Sequence, residues 1–251
     1  MGKISVVGIG PGSLDDMTYR ARRTIEEASV VVGYKRYVEL IKELIAGKKV
    51  LDTGMTQEID RCRAALREAS AGESVVVISS GDSGIYGMAG LVLELLVKME
   101  PASRPDFGGV VPGVSAMSAA AALLGAPIMH DFVVISLSDL LTPWETIQER
   151  AELAAKGDFV VALYNPRSNK RVNQIDIVQD IFLRHRSSDT PVGIVTGASR
   201  ENEGKKISTL GTFTKEDINM FSIVIIGNSK TRIVDDWMIT PRGYQKREPG
   251  L

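Results

Sequence analysis

Residues Ile78–Gly90 read ISSGDSGIYGMAG. The β-branched run Val75–Ile78 ends there in Ser-Ser-Gly-Asp-Ser-Gly, and a helical spacing follows at Met88, Leu91, Leu95 and Leu96. A plain strand-to-helix connector takes about two to six residues and one turn-former. This one spends Gly81, Gly84, Gly87, Asp82 and Tyr86 before its helix begins. Strand, glycine-rich loop and helix together form the repeating unit of a parallel sheet covered by helices. The richness of the loop predicts that it is shaped around a ligand.

The same alternation extends in both directions. Candidate strands are KISVVGI, SVVVG, KKVLD, SVVVISS and DFGGVVPG, all in the first half. Helical periods run near residues 18–28, 35–45, 57–71, 86–98 and 115–124. The strands are apolar on both faces, as in a sheet buried between two helical layers. Gly125, Ala126 and Pro127 then read as a hinge. Beyond it come FVVISLSD, DFVVALYNP, PVGIVTG, KKISTLG and FSIVIIGN, with helical periods near 143–155 and 170–184. Strands follow one another more closely here, which predicts a mixed sheet. The expected class is α/β with two domains, 1–125 and 126–240, and a polar tail over 241–251.

The bulk numbers exclude several classes. With 251 residues and 44% hydrophobic side chains, the chain can bury one large core or two ordinary ones. Its 30 basic and 31 acidic residues leave a net charge of -1, so no global electrostatic case for nucleic acid exists. A lone cysteine, Cys62, forms no internal disulfide, cysteine-rich zinc site or iron–sulfur cluster. No apolar run approaches the roughly 18 residues of a membrane span, and MGKISVVGIG reads as a strand rather than a signal peptide. The expected setting is the cytoplasm, without a membrane partner. The nine methionines are scattered as core filler, and no protein-bound metal is expected.

Three loops follow the carboxyl ends of predicted strands: Gly8–Ser13, Ser80–Gly87 and Pro112–Ala116. In an open α/β sheet that edge is where ligands bind. Each loop alone reads equally well as a tight turn; three on one edge favour a shared site. A dinucleotide fits poorly. Gly8 and Gly10 match its fingerprint, but Ser13 stands where a third Gly is needed, Pro11 has no N–H for a phosphate, and Tyr34 follows the second strand where an acid is expected. No Gly-Lys-Ser/Thr motif occurs. The loops carry no Lys or Arg, which suits a neutral or cationic ligand read by backbone carbonyls and the Asp82 carboxylate.

The stretches VVGIGPGSLDDMT, SSGDSGIYGMAG, VVPGVSA, LGAPIMHDFVVISLSDLLTPWE, DFVVALYNPRS, IIGNS and TPRGY together resemble the S-adenosylmethionine-dependent tetrapyrrole methyltransferases of cobalamin synthesis. The likeness runs over nearly the whole chain. The first loops mark the superfamily, whereas SLSDLLTPWE, YNPRS and TPRGY resemble its branch that methylates C17 of a precorrin-3-type ring. The resemblance implies two α/β domains with S-adenosylmethionine in the cleft between them, a homodimer and a tetrapyrrole substrate. By position it places Pro11, Ser80, Gly81, Asp82, Ile85, Ser115 and Ala116 on donor loops, and Tyr164, Asn165 and Ala198 beside the adenosine. Ser83 stands where many relatives carry Pro, and Asn165 where many carry an apolar residue.

The implied chemistry needs no protein nucleophile. A ring carbon attacks the methyl group in line, and ring contraction with lactone closure draws on the substrate's own carboxylate. Only two histidines, His130 and His185, are present, and no Ser-His-Asp or Cys-His set appears. His130, Asp131, Ser138 and Asp139 are acid–base or substrate candidates, with a structural role open for each and a cap or turn role open for Asp139. The catalytic group stays unassigned. Substrate carboxylates call for arginine forks; Arg36, Arg61, Arg167, Arg171, Arg200 and Arg242 lie near loops or helix starts, with Arg167 and Arg242 in the branch-specific motifs. Tyr34 and Tyr37 either line the cleft or pack in the core. A non-catalytic tetrapyrrole carrier and a dinucleotide-dependent oxidoreductase are the competing functions.

Overall fold

A computed structural model describes residues 2–244. The part of the expected tail beyond Tyr244 lies outside them. The described residues form two compact units that divide at Ala116/Met117.

The first unit runs β1 (Lys3–Gly8), α1 (Tyr19–Glu27), β2 (Val30–Tyr34), α2 (Lys35–Leu40), β3 (Lys49–Thr53), α3 (Glu58–Ser70), β4 (Ser74–Ser79), α4 (Ala89–Val97) and β5 (Asp106–Val111). The strands pair in the order β3-β2-β4-β1-β5, all parallel. Alternate side chains divide the core. Val6, Val32 and Val77 pack with Cys62, Ala65 and Val92 of α3 and α4 on one face. Val7, Val31 and Ile78 pack with Ala21, Ile25 and Ile41 on the other. The central strands are thus buried on both sides, while the edge strands β3 and β5 are largely exposed. Local chemistry sets the helix starts: Thr18 accepts the Ala21 N–H at 3.1 Å and caps α1. Chain leaves β1 over the face that carries α1 and leaves its neighbour β4 over the face that carries α4. The loops after these two strands therefore part at the sheet's switch point, where a crevice opens at the carboxyl edge.

The second unit runs α5 (Ala116–Leu124), β6 (Gly125–Ala126), β7 (Phe132–Ser136), α6 (Trp144–Lys156), β8 (Val160–Tyr164), α7 (Gln174–Leu183), β9 (Pro191–Thr196), β10 (Gly204–Thr209), β11 (Ser222–Ile226), β12 (Arg232–Val234) and β13 (Trp237–Ile239). Its main sheet is β10-β9-β11-β8-β7, antiparallel except for β7 with β8. This is the mixed sheet expected from the crowded strands. The α6 and α7 helices cover one face through Ile147, Ala151, Ile175, Val178 and Phe182. Gly125 and Ala126 are not a free hinge: they form β6, which pairs in parallel with β13. The division between units falls nine residues before the expected 125/126 boundary, at Ala116/Met117, so α5 joins the second unit. Leu124 of α5 packs over Gly193 of β9, where a Cβ would lie 2.7 Å from Leu124 Cδ2.

Candidate active site

The three glycine loops of the first unit meet at the carboxyl edge of its sheet. Gly10 and Gly81 exchange backbone hydrogen bonds, Gly10 N–H to Gly81 O at 3.2 Å and Gly81 N–H to Gly10 O at 2.7 Å. The third loop closes on this pair. A Cβ on Gly8 would lie 2.7 Å from both Gly113 N and Gly81 O, and one on Gly113 would collide with Gly81 O. Gly8 and Gly113 are therefore required by the approach of backbone to backbone. Gly81 supplies the carbonyl on which the third loop packs, so the Ser80–Gly87 loop serves loop packing as well as the expected ligand contact.

Asp82 is likewise engaged within the protein. Its Oδ1 accepts the Gly84 N–H at 2.8 Å and its Oδ2 accepts the Gly113 N–H at 2.9 Å. One carboxylate thus shapes its own loop and fastens it to the next. Beside it, the Ser83 hydroxyl is fully buried and has no hydrogen-bond partner among the described residues, while its carbonyl accepts the Ala89 N–H at the start of α4. Pro11 and Ser115 are buried; Ser80, Ile85 and Ala116 are partly exposed on the same edge. Seven of the expected donor residues, Pro11, Ser80, Gly81, Asp82, Ile85, Ser115 and Ala116, therefore lie on three mutually locked loops.

In the second unit, Tyr164, Asn165 and Ala198 follow β8 and β9, whose carboxyl ends share one edge of that sheet. Tyr164 ends β8, and its hydroxyl accepts the Met117 N–H at 3.0 Å, satisfying a donor in the first turn of α5. Asn165 sits at φ +51°, a region that Asn enters more readily than apolar residues. Its Nδ2 donates to Ser136 Oγ at 3.0 Å. That backbone geometry explains why an amide occupies the position. Ala198 is buried just beyond β9.

The substrate candidates differ in exposure and in the partners they hold. Arg171 is buried; its Nε donates to Asn165 O at 3.2 Å and its Nη1 lies 3.9 Å from Asp139 Oδ1. Asp139 also accepts from Gln174 Nε2 at 3.1 Å, so it ties the loop after β7 to α7 and caps no helix. Arg167 donates to Thr214 O at 3.3 Å and lies 3.8 Å from Asp176, while its Nε is buried without a hydrogen-bond partner among the described residues. Arg242 is exposed and reaches Met129 O at 3.4 Å. His130 is exposed, with Nδ1 accepting the N–H of Asp131. Arg36 is exposed at the start of α2. Tyr34 and Tyr37 stack edge to face with centroids 5.1 Å apart. The Asp82–Gly113 tie and the pairing of Asn165 with Ser136 leave no spacing signal in the sequence, since each joins segments distant along the chain.

Among the described residues no group of three or more His, Cys, Asp or Glu side chains is placed to hold a metal ion, and no helix is long and apolar enough to cross a membrane.

Comparison with known proteins follows the same lines. Residues 3–214 match the model of the family described as Tetrapyrrole (Corrin/Porphyrin) Methylases. A protein of Salmonella typhimurium strain LT2 named probable cobalt-factor III C(17)-methyltransferase is 50% identical over 241 residues, covering 96% of this chain and 99% of that protein. The cobalt-factor III methyltransferase of Priestia megaterium is 50% identical over 249 residues; the match takes in 98% of this chain and about half, 46%, of that longer protein. Among solved structures, the methyltransferase CobJ superposes with a TM-score of 0.90 at 36% identity, over 96% of this chain and 100% of that one.

Proposed function

The chain belongs to the tetrapyrrole (corrin/porphyrin) methylases, and from that premise we propose that it transfers a methyl group from S-adenosylmethionine to C17 of a cobalt-factor III-type tetrapyrrole, with ring contraction, in cobalamin biosynthesis. The observation that carries this reading is the 50% identity to a relative of that name over 99% of the relative's length. The cobalt is part of the substrate.

The residues of the first unit suit a sulfonium donor. The three loops hold no Lys or Arg, and the Asp82 carboxylate stands among them. Methyl transfer disperses positive charge from sulfur, so catalysis rests on alignment and on exclusion of water rather than on a protein nucleophile. The backbone exchange between Gly10 and Gly81, and the Asp82 bridge to Gly113, supply the rigidity that alignment needs. Pro11, Ser80–Asp82, Ile85, Ser115 and Ala116 hold the donor in this unit. In the other, Tyr164, Asn165 and Ala198 serve the adenosine. Arg36, His130, Asp139, Arg167 and Arg242 are assigned to the substrate, with Asp139 and Arg167 also tied within the protein. The protein acts in the cytoplasm, and as a homodimer, the latter tested by sedimentation of the purified chain.

The function is tested by incubating the protein with S-adenosylmethionine and either cobalt-factor III or metal-free precorrin-3B, and weighing the pigment. A gain of one methyl group is expected, with the cobalt substrate preferred. Binding of the pigment without a change of mass would make the protein a carrier.

A further inference from the structure

Three arginines of the described chain are buried: Arg61, Arg171 and Arg186. Two of them face carboxylates, Arg171 with Asp139 and Arg186 with Asp158, each at 3.9 Å. Arg61, only 3% exposed, faces none among the described residues. Its Nε donates to Thr53 Oγ1 and its Nη2 to Gly54 O, both at 2.8 Å. Its Nη1 reaches only the Met88 thioether, at 3.8 Å. The guanidinium carbon lies 5.9 Å from the centre of the Tyr34 ring.

A buried cation without a counter-charge is strongly unfavourable, and a sulfur atom is a weak acceptor. The location gives this arrangement a purpose. Tyr34 ends β2, Thr53 ends β3, and Met88 closes the long loop after β4, so Arg61 lies directly beneath the carboxyl edge. It stands in the first turn of α3, whose unpaired N–H groups add positive potential. Met88 is unbranched and flexible, which suits a movable cover.

We propose that the Tyr34–Arg61–Met88 corner is a subsite for one carboxylate of the ligand, to which Arg61 Nη1 donates in place of the Met88 thioether. The occupant, an acetate or propionate arm of the tetrapyrrole, rests on the methyltransferase reading. An internal Asp or Glu here would neutralise Arg61 and fill the subsite; the chain keeps the cation and supplies only a weak partner.

The test titrates the protein, Arg61→Met and Arg61→Lys with uroporphyrin, an octacarboxylate porphyrin, and separately with S-adenosylhomocysteine, and records each melting temperature. Arg61→Met is expected to weaken porphyrin binding by about ten- to a hundredfold and to keep S-adenosylhomocysteine affinity. Arg61→Lys keeps the charge without the fork; it should bind porphyrin more weakly than the parent and S-adenosylhomocysteine equally well. Unchanged porphyrin affinity in either variant overturns the subsite, and in Arg61→Met a lowered melting temperature alongside it makes Arg61 a structural tie for residues 53–54. Loss of both ligands in Arg61→Lys also overturns it. A parent protein that binds neither ligand defeats the methyltransferase reading and the subsite together, whereas a parent that binds both, with variants unchanged, defeats the subsite alone.

Discussion

The Asp82 carboxylate joins two loops that are 31 positions apart in the chain, accepting the Gly113 N–H at 2.9 Å while its other oxygen accepts the Gly84 N–H at 2.8 Å. Asn at this position offers one acceptor oxygen and turns an NH2 group toward one of the two donors. Asp82→Asn should therefore lose about 1–3 kcal/mol of stability and bind S-adenosylhomocysteine more weakly. Thermal melts and calorimetric titration on one preparation check both. An unchanged melting temperature would mean that the bridge contributes little to the loops.

Gly113 and Gly81 should respond differently to an added methyl group. A Cβ on Gly113 meets the backbone of Gly8 and Gly81, which has nowhere to move, and overpacking of this kind costs about 1–3 kcal/mol. A Cβ on Gly81 meets nothing closer than 3.4 Å, but its φ of +66° is unfavourable for a side chain by about 1–2 kcal/mol. Gly113→Ala is expected to pry the third loop off the other two and impair donor binding. Gly81→Ala should lose stability while keeping the loops joined, with a smaller effect on affinity. Equal donor affinities in the two variants would contradict the loop-packing account.

The fold was largely legible because β-branched runs and 3.6-residue periods dominate both halves. Val75–Ile78 and Val30–Val32 could be little else than central strands, and the first sheet is parallel throughout, as the alternation implies. The boundary between units was less legible. Gly-Ala-Pro at 125–127 carries a turn signal, yet Gly125 and Ala126 pair with Met238 and Ile239, a contact over more than 100 residues that no local pattern records. The site was legible as loops but not as contacts. The glycines and the acid stand in the sequence; it does not tell that Asp82 serves Gly113, that Asn165 adopts positive φ, or that Arg61 is buried with no carboxylate facing it among the described residues. These features depend on which loops the sheet order brings together.

Arg167 and Arg242 separate two roles that the branch-specific motifs leave mixed. Arg167 is held by Thr214 O and Asp176, so Arg167→Ala should lower stability by about 1–3 kcal/mol through unmet partners. Arg242 is exposed, and Arg242→Ala should stay within about 0.5 kcal/mol of the parent while weakening tetrapyrrole binding. Chemical denaturation and porphyrin titration distinguish them. A destabilised Arg242→Ala with intact porphyrin affinity would give Arg242 a structural role instead.

Cys62 provides a pH-dependent readout of the first core. Burial pushes its thiol up to about 11 from an ordinary value of 9.0. Between those values the unfolded chain releases the proton and the folded chain retains it, so this group's contribution to stability falls as pH rises from 9 toward 11 and is constant below that window. Denaturation at pH 8 and pH 10 should show this fall, and Cys62→Ala should reduce it. At pH 8 the folded protein should react with a disulfide thiol reagent far more slowly than the unfolded chain. Rapid labelling of the folded protein would place Cys62 outside a closed core.

Incubation with methyl-labelled S-adenosylmethionine and cobalt-factor III tests methyl transfer to a tetrapyrrole carbon. The predicted result is one labelled methyl group on the pigment, at C17, with S-adenosylhomocysteine released in equal amount. Asp82→Asn should reduce the rate at donor concentrations that saturate the parent. A pigment recovered at its original mass, from a protein that binds S-adenosylhomocysteine and cobalt-factor III together, would mean that the chain is no methyltransferase for this ring.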